Sequence, residues 1–93
     1  MQLPMKVIIP TAFRKHTDGK KNIDVTGSNV GDVISGLIQA YPNLRDSLYT
    51  PADELVQFVG VFVNEKNIRD LEGVNTSVDD RDELLLVPAI AGG

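Results

Sequence analysis

The clearest hydrophobic periodicity lies in the middle third of the chain, where apolar residues recur at helical spacing. Six apolar positions fall three or four residues apart and so share one helical face: Val30, Val33, Ile34, Leu37, Ile38 and Tyr41. Ser28 or Asn29 can cap the first amides, and Pro42 ends the helix because the residue before a proline avoids helical angles. Gly31 and Gly36 each weaken a helix by about 1 kcal/mol relative to alanine. Packing against a sheet must therefore hold this helix.

Shorter apolar runs on both sides of the helix predict β-strands. The predicted strands are residues 6–9, 21–25, 58–63, 66–69 and 83–87. Asp18-Gly19 accepts the positive backbone angles of a tight turn, so the first two strands form a hairpin, widened by residues 11–16. Residues 44–48 add one short helical turn. The order β-β-α-β-β-β, with the last strand beside the first, predicts an α+β fold of the β-grasp, or ubiquitin-like, type. It has a mixed sheet of about five strands packed on one main helix.

Composition and charge remove several classes of function. The chain has 93 residues, of which 42% are hydrophobic, which fits one globular domain. A net charge of −4, with basic residues scattered along the sequence, argues against nucleic-acid binding. The absence of cysteine excludes disulfides and thiol catalysis, and the single histidine, His16, has no histidine partner for a metal. The chain shows neither a signal-peptide pattern nor an apolar run near the roughly 20 residues that span a membrane, so a cytoplasmic location is expected.

The candidate chemistry lies at Ala91-Gly92-Gly93, which follows an apolar run over residues 84–90. Glycine has no Cβ, so a diglycine can pass through a narrow channel into another protein's active site. A carboxylate resists nucleophiles, but transfer of AMP to the Gly93 carboxylate would create a mixed anhydride with a good leaving group. A sulfur donor could then displace AMP and convert the Gly93 carboxylate to a thiocarboxylate. We therefore predict a β-grasp domain over residues 1–88 and a flexible tail over residues 89–93. Five extended residues reach at most about 17 Å.

Two polar clusters have simpler interpretations. The group Asp79, Asp80, Asp82 and Glu83 lacks the spacing and glycine of a calcium loop, so a polar turn is preferred. The run Arg14-Lys15-His16 could steer an acidic partner, but a solvated loop is the interpretation preferred from sequence.

Several segments resemble the ubiquitin-like sulfur-carrier family, often called MoaD/ThiS-like. The matching segments are Pro88-Ala89-Ile90-Ala91-Gly92-Gly93, Ile9-Pro10-Thr11 with Arg14 and His16-Thr17, residues 58–63 leading into Asn64, and Ile68-Arg69. Within this family the chain looks most like the CysO-type carriers, which supply sulfur for cysteine synthesis. The resemblance implies a protein that is not an enzyme and binds no cofactor itself. It implies instead a ubiquitin-activator-like adenylating enzyme that uses ATP with magnesium, a PLP-dependent cysteine synthase, and a zinc-dependent peptidase that releases cysteine.

The resemblance also indicates which strand face meets the helix. By analogy with ubiquitin-like registers, Val61, Val63, Leu84 and Leu86 face inward. An exposed apolar patch then leads to the tail and would contact partners; its predicted members are Phe58, Phe62, Leu85, Val87 and Ile90. The reverse register, or a loop over the patch, stays open from sequence.

Three other functions remain open from sequence. The first is the small subunit of molybdopterin synthase, also a thiocarboxylate carrier, although that subunit more often has a double proline before its tail where this chain has only Pro88. The second is a protein modifier joined to lysines through Gly93. The third is a β-grasp interaction module with an idle tail.

Overall fold

A mixed five-stranded sheet forms the body of the protein in the computed structural model, which describes residues 3–52, 54–56 and 59–88. Its strands are β1 (Met5–Ile8), β2 (Asn22–Val25), β3 (Val59–Val63), β4 (Lys66–Asn67) and β5 (Glu83–Pro88). The spatial order is β2-β1-β5-β3-β4, with β1 and β5 parallel and the other neighbouring pairs antiparallel. The last strand therefore lies at the centre of the sheet, beside the first.

One long helix covers one face of this sheet. Helix α1 (Val30–Ala40) begins after Asn29, whose side chain accepts a hydrogen bond from the Asp32 amide at 2.8 Å. Asn29 rather than Ser28 is therefore the cap; the Ser28 hydroxyl instead bonds the Asp32 carboxylate at 3.1 Å. On the predicted apolar face, Val30, Val33, Ile34 and Leu37 are fully buried, while Ile38 and Tyr41 pack partly buried against the core. Together with the sheet order, this confirms the predicted β-grasp fold.

Gly36 permits a close approach between the helix and the sheet. A Cβ at Gly36 would lie 2.7 Å from Cγ1 of Val25 on β2, closer than two such carbons can sit. The glycine that weakens the helix by propensity is thus required by its packing.

The connection between β1 and β2 and the segment after α1 also contribute to the core. A 3-10 helix at Thr11–His16 buries Phe13. Asp18 and Gly19 have positive φ angles of 56° and 79°, as expected for the predicted hairpin turn. After α1 a 3-10 turn leads into the short helix α2 (Arg45–Leu48), which buries Leu48 where one helical turn was expected.

The prediction for residues 66–69 was partly wrong. Only Lys66–Asn67 form a strand, because the Asn67 side chain accepts a hydrogen bond from the Arg69 amide at 2.9 Å and starts a 3-10 turn over Ile68–Asp70. Elsewhere the predicted boundaries of the described strands differ by about one residue. Position 58 and the division proposed at residue 88 involve residues outside the described ranges, and that division stays a prediction.

The loop between β4 and β5 closes the end of the core at which α1 begins. The Val30 amide donates to the Thr76 carbonyl at 3.0 Å, and the Val78 amide donates to the Ser28 carbonyl at 3.1 Å. These bonds satisfy backbone groups at the helix start, which has few partners within the helix. In the described part of the chain, no helix is both long and apolar enough to cross a membrane.

Candidate functional site

Strand β5, which leads to the tail, pairs on both sides over residues 84–85 and with β3 alone over residues 86–88. In β5, Leu85 pairs with Ile8 on one side and with Phe62 on the other, and Pro88 pairs with Val59. The predicted reacting residue Gly93 and the tail residues Ala91 and Gly92 lie outside the described residues, so their role stays a prediction. The tail nevertheless follows the central strand of the sheet.

The side chains of β3 and β5 alternate between two faces, in the register that the resemblance implied. Val61, Val63, Leu84 and Leu86 are all buried beneath α1. Phe62 and Leu85 are half-buried on the opposite, open face, and Val87 is 42% exposed there. Phe58 and Ile90, the other two predicted patch residues, lie outside the described ranges.

A fourth described residue completes this surface. Ile8 pairs with Leu85 across the parallel β1–β5 contact, so it shares the open face with Leu85 and Phe62. We name Ile8, Phe62, Leu85 and Val87 the open-face patch. Sequence reasoning missed Ile8 because Ile8 and Ile9 are both apolar; only the pairing shows that Ile9 faces the core and Ile8 does not.

Gly60 shapes the middle of the open-face patch. It lies opposite Val87, and a Cβ at Gly60 would stand 3.0 Å from Cε1 of Phe62. The Phe62 ring therefore leans over Gly60. The aromatic ring covers the strand backbone and presents a broad apolar contact surface beside Val87.

Charged residues border the patch at the end away from Pro88. On the same face, Lys6 pairs with Asp24 on one side and with Glu83 on the other. An apolar centre with a charged rim is the usual anatomy of a protein–protein contact surface. The partner-binding role of this face stays a prediction.

An open depression of about 650 Å³ adjoins the patch at this end. Ile8 and Leu85 line it from the sheet, and the turn around Asn64 lines it from the side. Asn64 has a positive φ of 58°. Its Nδ2 donates to Asp82 Oδ1 at 3.0 Å, and its Oδ1 accepts from the Glu83 amide at 3.1 Å. The Asn64 side chain thus fixes the end of β3 against the start of β5.

The acidic group at residues 79–83 forms a turn. The Asp79 carboxylate accepts from the Arg81 amide at 2.9 Å, and the Asp79 amide donates to the Asp82 carboxylate at 2.9 Å. The hydrogen bond from the Arg81 amide holds the pKa of Asp79 below its ordinary value. These carboxylates serve the turn itself, as the structural interpretation predicted. Across the described ranges, no three His, Cys, Asp or Glu side chains gather as metal ligands.

The fold and this site together define a class: a ubiquitin-like protein whose central strand, flanked by an exposed apolar face, leads directly to its C-terminal segment. Residues 7–93 match the ThiS family, and the chain belongs to that family. The sulfur carrier protein CysO of Mycobacterium tuberculosis is 37% identical over 89 residues, covering 94% of this chain and 96% of that protein. The resemblance found in the sequence is thereby confirmed.

Solved structures agree with this placement. A CysO from Amycolatopsis orientalis, solved in a complex with BexX, gives a TM-score of 0.88 at 32% identity, covering 96% of this chain and 99% of that one. The small archaeal modifier protein 1 from Methanosarcina acetivorans gives 0.86 at 29% identity, covering the whole of both chains. The curated relative is named a carrier, which confirms the interpretation that the protein acts as a carrier rather than as an enzyme.

Proposed function

We propose that this protein is a sulfur carrier whose Gly93 carboxylate is converted to a thiocarboxylate, with cysteine biosynthesis as its use. The observation that carries the proposal is the ThiS family match through Gly93, in a sequence whose Gly92-Gly93 pair follows a central strand. The 37% identity to a CysO over nearly the whole chain supports the cysteine pathway in particular.

The proposed reaction needs two steps on a partner enzyme. The Gly93 carboxylate attacks the α-phosphorus of ATP, pyrophosphate leaves, and an acyl adenylate forms. Hydrosulfide or an equivalent sulfur donor then attacks the acyl carbon; AMP leaves, a proton is released, and the thiocarboxylate remains. The partner, an adenylating enzyme related to ubiquitin activators, supplies the ATP site and the magnesium ion that stabilises the phosphate charge. This chain supplies the carboxylate and the surface that positions it.

Downstream use completes the proposed cycle. The thiocarboxylate sulfur would replace the leaving group on Cβ of an activated serine, in a reaction for which a PLP-dependent cysteine synthase would supply the electron sink. After release, the free amine of the resulting S-acyl cysteine would attack the thioester carbonyl, the C–S bond would break, and cysteine would remain joined to Gly93 by an amide. A zinc-dependent peptidase would hydrolyse that amide and regenerate the tail.

The open-face patch is the proposed contact surface for these enzymes. Phe62, Leu85 and Val87 form one apolar surface on the strand that leads to the tail, so a partner seated there would also be within reach of Gly93. The complex of an Amycolatopsis CysO with BexX supports docking of a second protein on a carrier of this kind.

Intact-mass measurement tests the central claim. The chain is incubated with the adenylating enzyme of its own organism, ATP, magnesium and sulfide. The expected product has a mass gain equal to one oxygen replaced by sulfur, located in the C-terminal peptide and absent from a variant lacking Gly93. If the adenylating enzyme is shown to be active on another substrate and this chain still gains no mass, the carrier role is rejected. An interaction module with an idle tail would then be favoured.

The acceptor and the rival functions need separate tests. Retention of the thiocarboxylated form by a cysteine synthase rather than by the large subunit of molybdopterin synthase would distinguish the two sulfur pathways. A modifier role has its own support in the fold shared with a small archaeal modifier protein. Gly93 joined to lysine side chains in cell extracts would establish that role.

A further inference from the structure

The connection between β1 and β2 lies at the end of the sheet from which the tail leaves. Strands β1 and β5 run parallel with Ile8 beside Leu85, so both strands end on the same side of the molecule. The Ile9 amide donates to the Lys21 carbonyl at 2.8 Å, which closes the connection directly above this end. Residues 10–21 therefore lie at the same end of the sheet as Pro88.

This connection is strongly cationic in a protein that is acidic overall. It holds four basic residues, Arg14, Lys15, Lys20 and Lys21, against the single acidic residue Asp18, whereas the whole chain carries a net charge of −4. We name these four residues the cationic collar. Four of the nine basic residues of the chain thus lie within residues 14–21.

Two residues of the cationic collar contact the body of the protein. The Arg14 Nε donates to the Ile9 carbonyl at 3.2 Å, and the Lys20 ammonium lies 5.8 Å from the centre of the Tyr41 ring. A hydrogen bond with the Tyr41 side chain raises the pKa of Lys20 above its ordinary value. Beneath them Thr17 is completely buried, and its hydroxyl donates toward the Arg14 and Lys20 carbonyls at 3.3 and 3.1 Å. Two of the four collar residues, Arg14 and Lys20, are therefore held against the body of the protein at this end of the sheet.

The opposite end of the molecule is acidic. The start of α1, the β3–β4 turn, the end of β2 and the turn before β5 meet there, as the pairing of Asn64 with Glu83 and of Met5 with Val25 shows. The acidic residues at this end are Asp24, Asp32, Glu65, Asp79, Asp80, Asp82 and Glu83. The basic residues on these segments and on the start of β1 are Lys6, Lys66 and Arg81. The charge of the protein is thus separated along the direction in which the tail leaves.

We propose that the cationic collar docks on an acidic rim around the entrance of the adenylating enzyme's cleft and orients the carrier tail first. The inference rests on the proposed function, since it names the surface chemistry of the enzyme that would receive Gly93. Separated charges accelerate encounter and suppress wrong orientations. With an acidic partner, the carrier's acidic end is repelled and its tail end is attracted, so productive encounters are favoured before apolar contact begins.

Two charge-reversal variants provide a matched test. Lys15→Glu with Lys21→Glu alters two exposed collar residues, while Lys66→Glu with Arg81→Glu alters two exposed residues at the opposite end by the same net charge. Arg14 and Lys20 are kept because they also contact the core. The measurement is kcat and KM for thiocarboxylate formation with the organism's own adenylating enzyme, at low and at high salt, with thermal unfolding as the control for folding.

The expected result is specific to the collar pair. We expect its kcat/KM to fall about tenfold at low salt through a higher KM with kcat unchanged, while the opposite-end pair stays near the unaltered protein. Because the Debye length shrinks from about 10 Å at 0.1 M to about 3 Å at 1 M salt, the collar effect should largely vanish at high salt. The unaltered protein should itself lose kcat/KM as salt rises.

Equal losses in both pairs, or a loss that persists at high salt, would overturn the collar proposal. A salt-insensitive kcat/KM for the unaltered protein would do so even if the reversed variants failed to fold. If the unaltered protein itself gains no thiocarboxylate, the proposed function fails instead, so the two failures are distinguishable.

Discussion

Gly36 shows how one missing Cβ sets the distance between a helix and a sheet. Alanine would favour the helix by about 1 kcal/mol, but its Cβ would stand 2.7 Å from the buried Cγ1 of Val25. Overpacking of this kind costs about 1–3 kcal/mol. We therefore expect Gly36→Ala to lower the free energy of unfolding by about 1 kcal/mol, measured by urea denaturation.

A double-mutant cycle separates crowding from other effects at this position. Val25→Ala alone should destabilise by leaving a gap, and combining it with Gly36→Ala should cost clearly less than the sum of the two. Additive losses, agreeing within about 0.5 kcal/mol, would mean that the contact with Val25 does not explain the glycine.

Asn64 combines an unusual backbone angle with two side-chain hydrogen bonds. Its φ is 58°, and its amide group bonds both Asp82 and the Glu83 backbone. Asn64→Ala should lower the free energy of unfolding by about 1–3 kcal/mol. Asn64→Gly, which loses the same bonds but accepts the positive φ, should be less destabilising by about 1 kcal/mol. Chemical denaturation of both variants checks this; a glycine variant no more stable than the alanine variant would show that backbone strain has no part.

Neighbouring residues of strand β5 lie in opposite environments, one buried and one exposed. Leu86 is 1% exposed beneath α1, so Leu86→Ala should cost about 2–5 kcal/mol of stability. Val87 is 42% exposed on the open-face patch, so Val87→Ser should change stability by no more than about 0.5 kcal/mol. Val87→Ser should nevertheless slow thiocarboxylate formation severalfold, because it places a hydroxyl within the proposed docking surface.

Denaturation and rate measurements on the two β5 variants check this contrast. A Val87→Ser variant with an unchanged rate under conditions where the unaltered chain reacts would remove Val87 from the docking surface, although the surface would still be exposed.

At the scale of elements, regular periodicity was predictable and local capping was not. The face of α1 followed from apolar spacing alone, and four of its six residues are fully buried. The predicted length of β4 was too great because the hydrogen bond from the Arg69 amide to the Asn67 side chain competes with strand pairing. The hydrophobic pattern of the sequence does not indicate such a bond. The 3-10 helix at Thr11–His16 was foreseen only as a widened turn, since its single buried residue, Phe13, sets no period.

At the scale of the whole molecule, sequence order predicted the pairing of the first and last strands but not the charge separation. The collar residues are close in sequence, but the acidic end joins residues as distant as Asp24 and Glu83. Net charge hides such an arrangement. Only part of the candidate site could be predicted from sequence. Side-chain alternation and the inferred register placed Phe62, Leu85 and Val87 on the open face, whereas the position of Ile8 required the observed β1–β5 pairing.

The parallel pairing of β1 and β5 also determines how the protein responds to force. A pull on the start of β1 and the end of β5 loads the bonds at Lys6–Glu83, Val7–Leu84 and Ile8–Leu85 together, in shear. A pull between Pro10 and Pro88, which lie at the same end, would peel these bonds one after another. Since the chain contains no cysteine, handles at introduced Pro4→Cys and Pro88→Cys, compared with Pro10→Cys and Pro88→Cys, can measure both directions.

We expect the shear direction to unfold at a higher force, because the force-loaded unfolding rate depends on how many bonds must break at once. Equal forces in the two directions would mean that the β1–β5 contact is not the resisting element. We expect a body anchored through its middle strand to keep its shape when force is applied to the residues that follow β5.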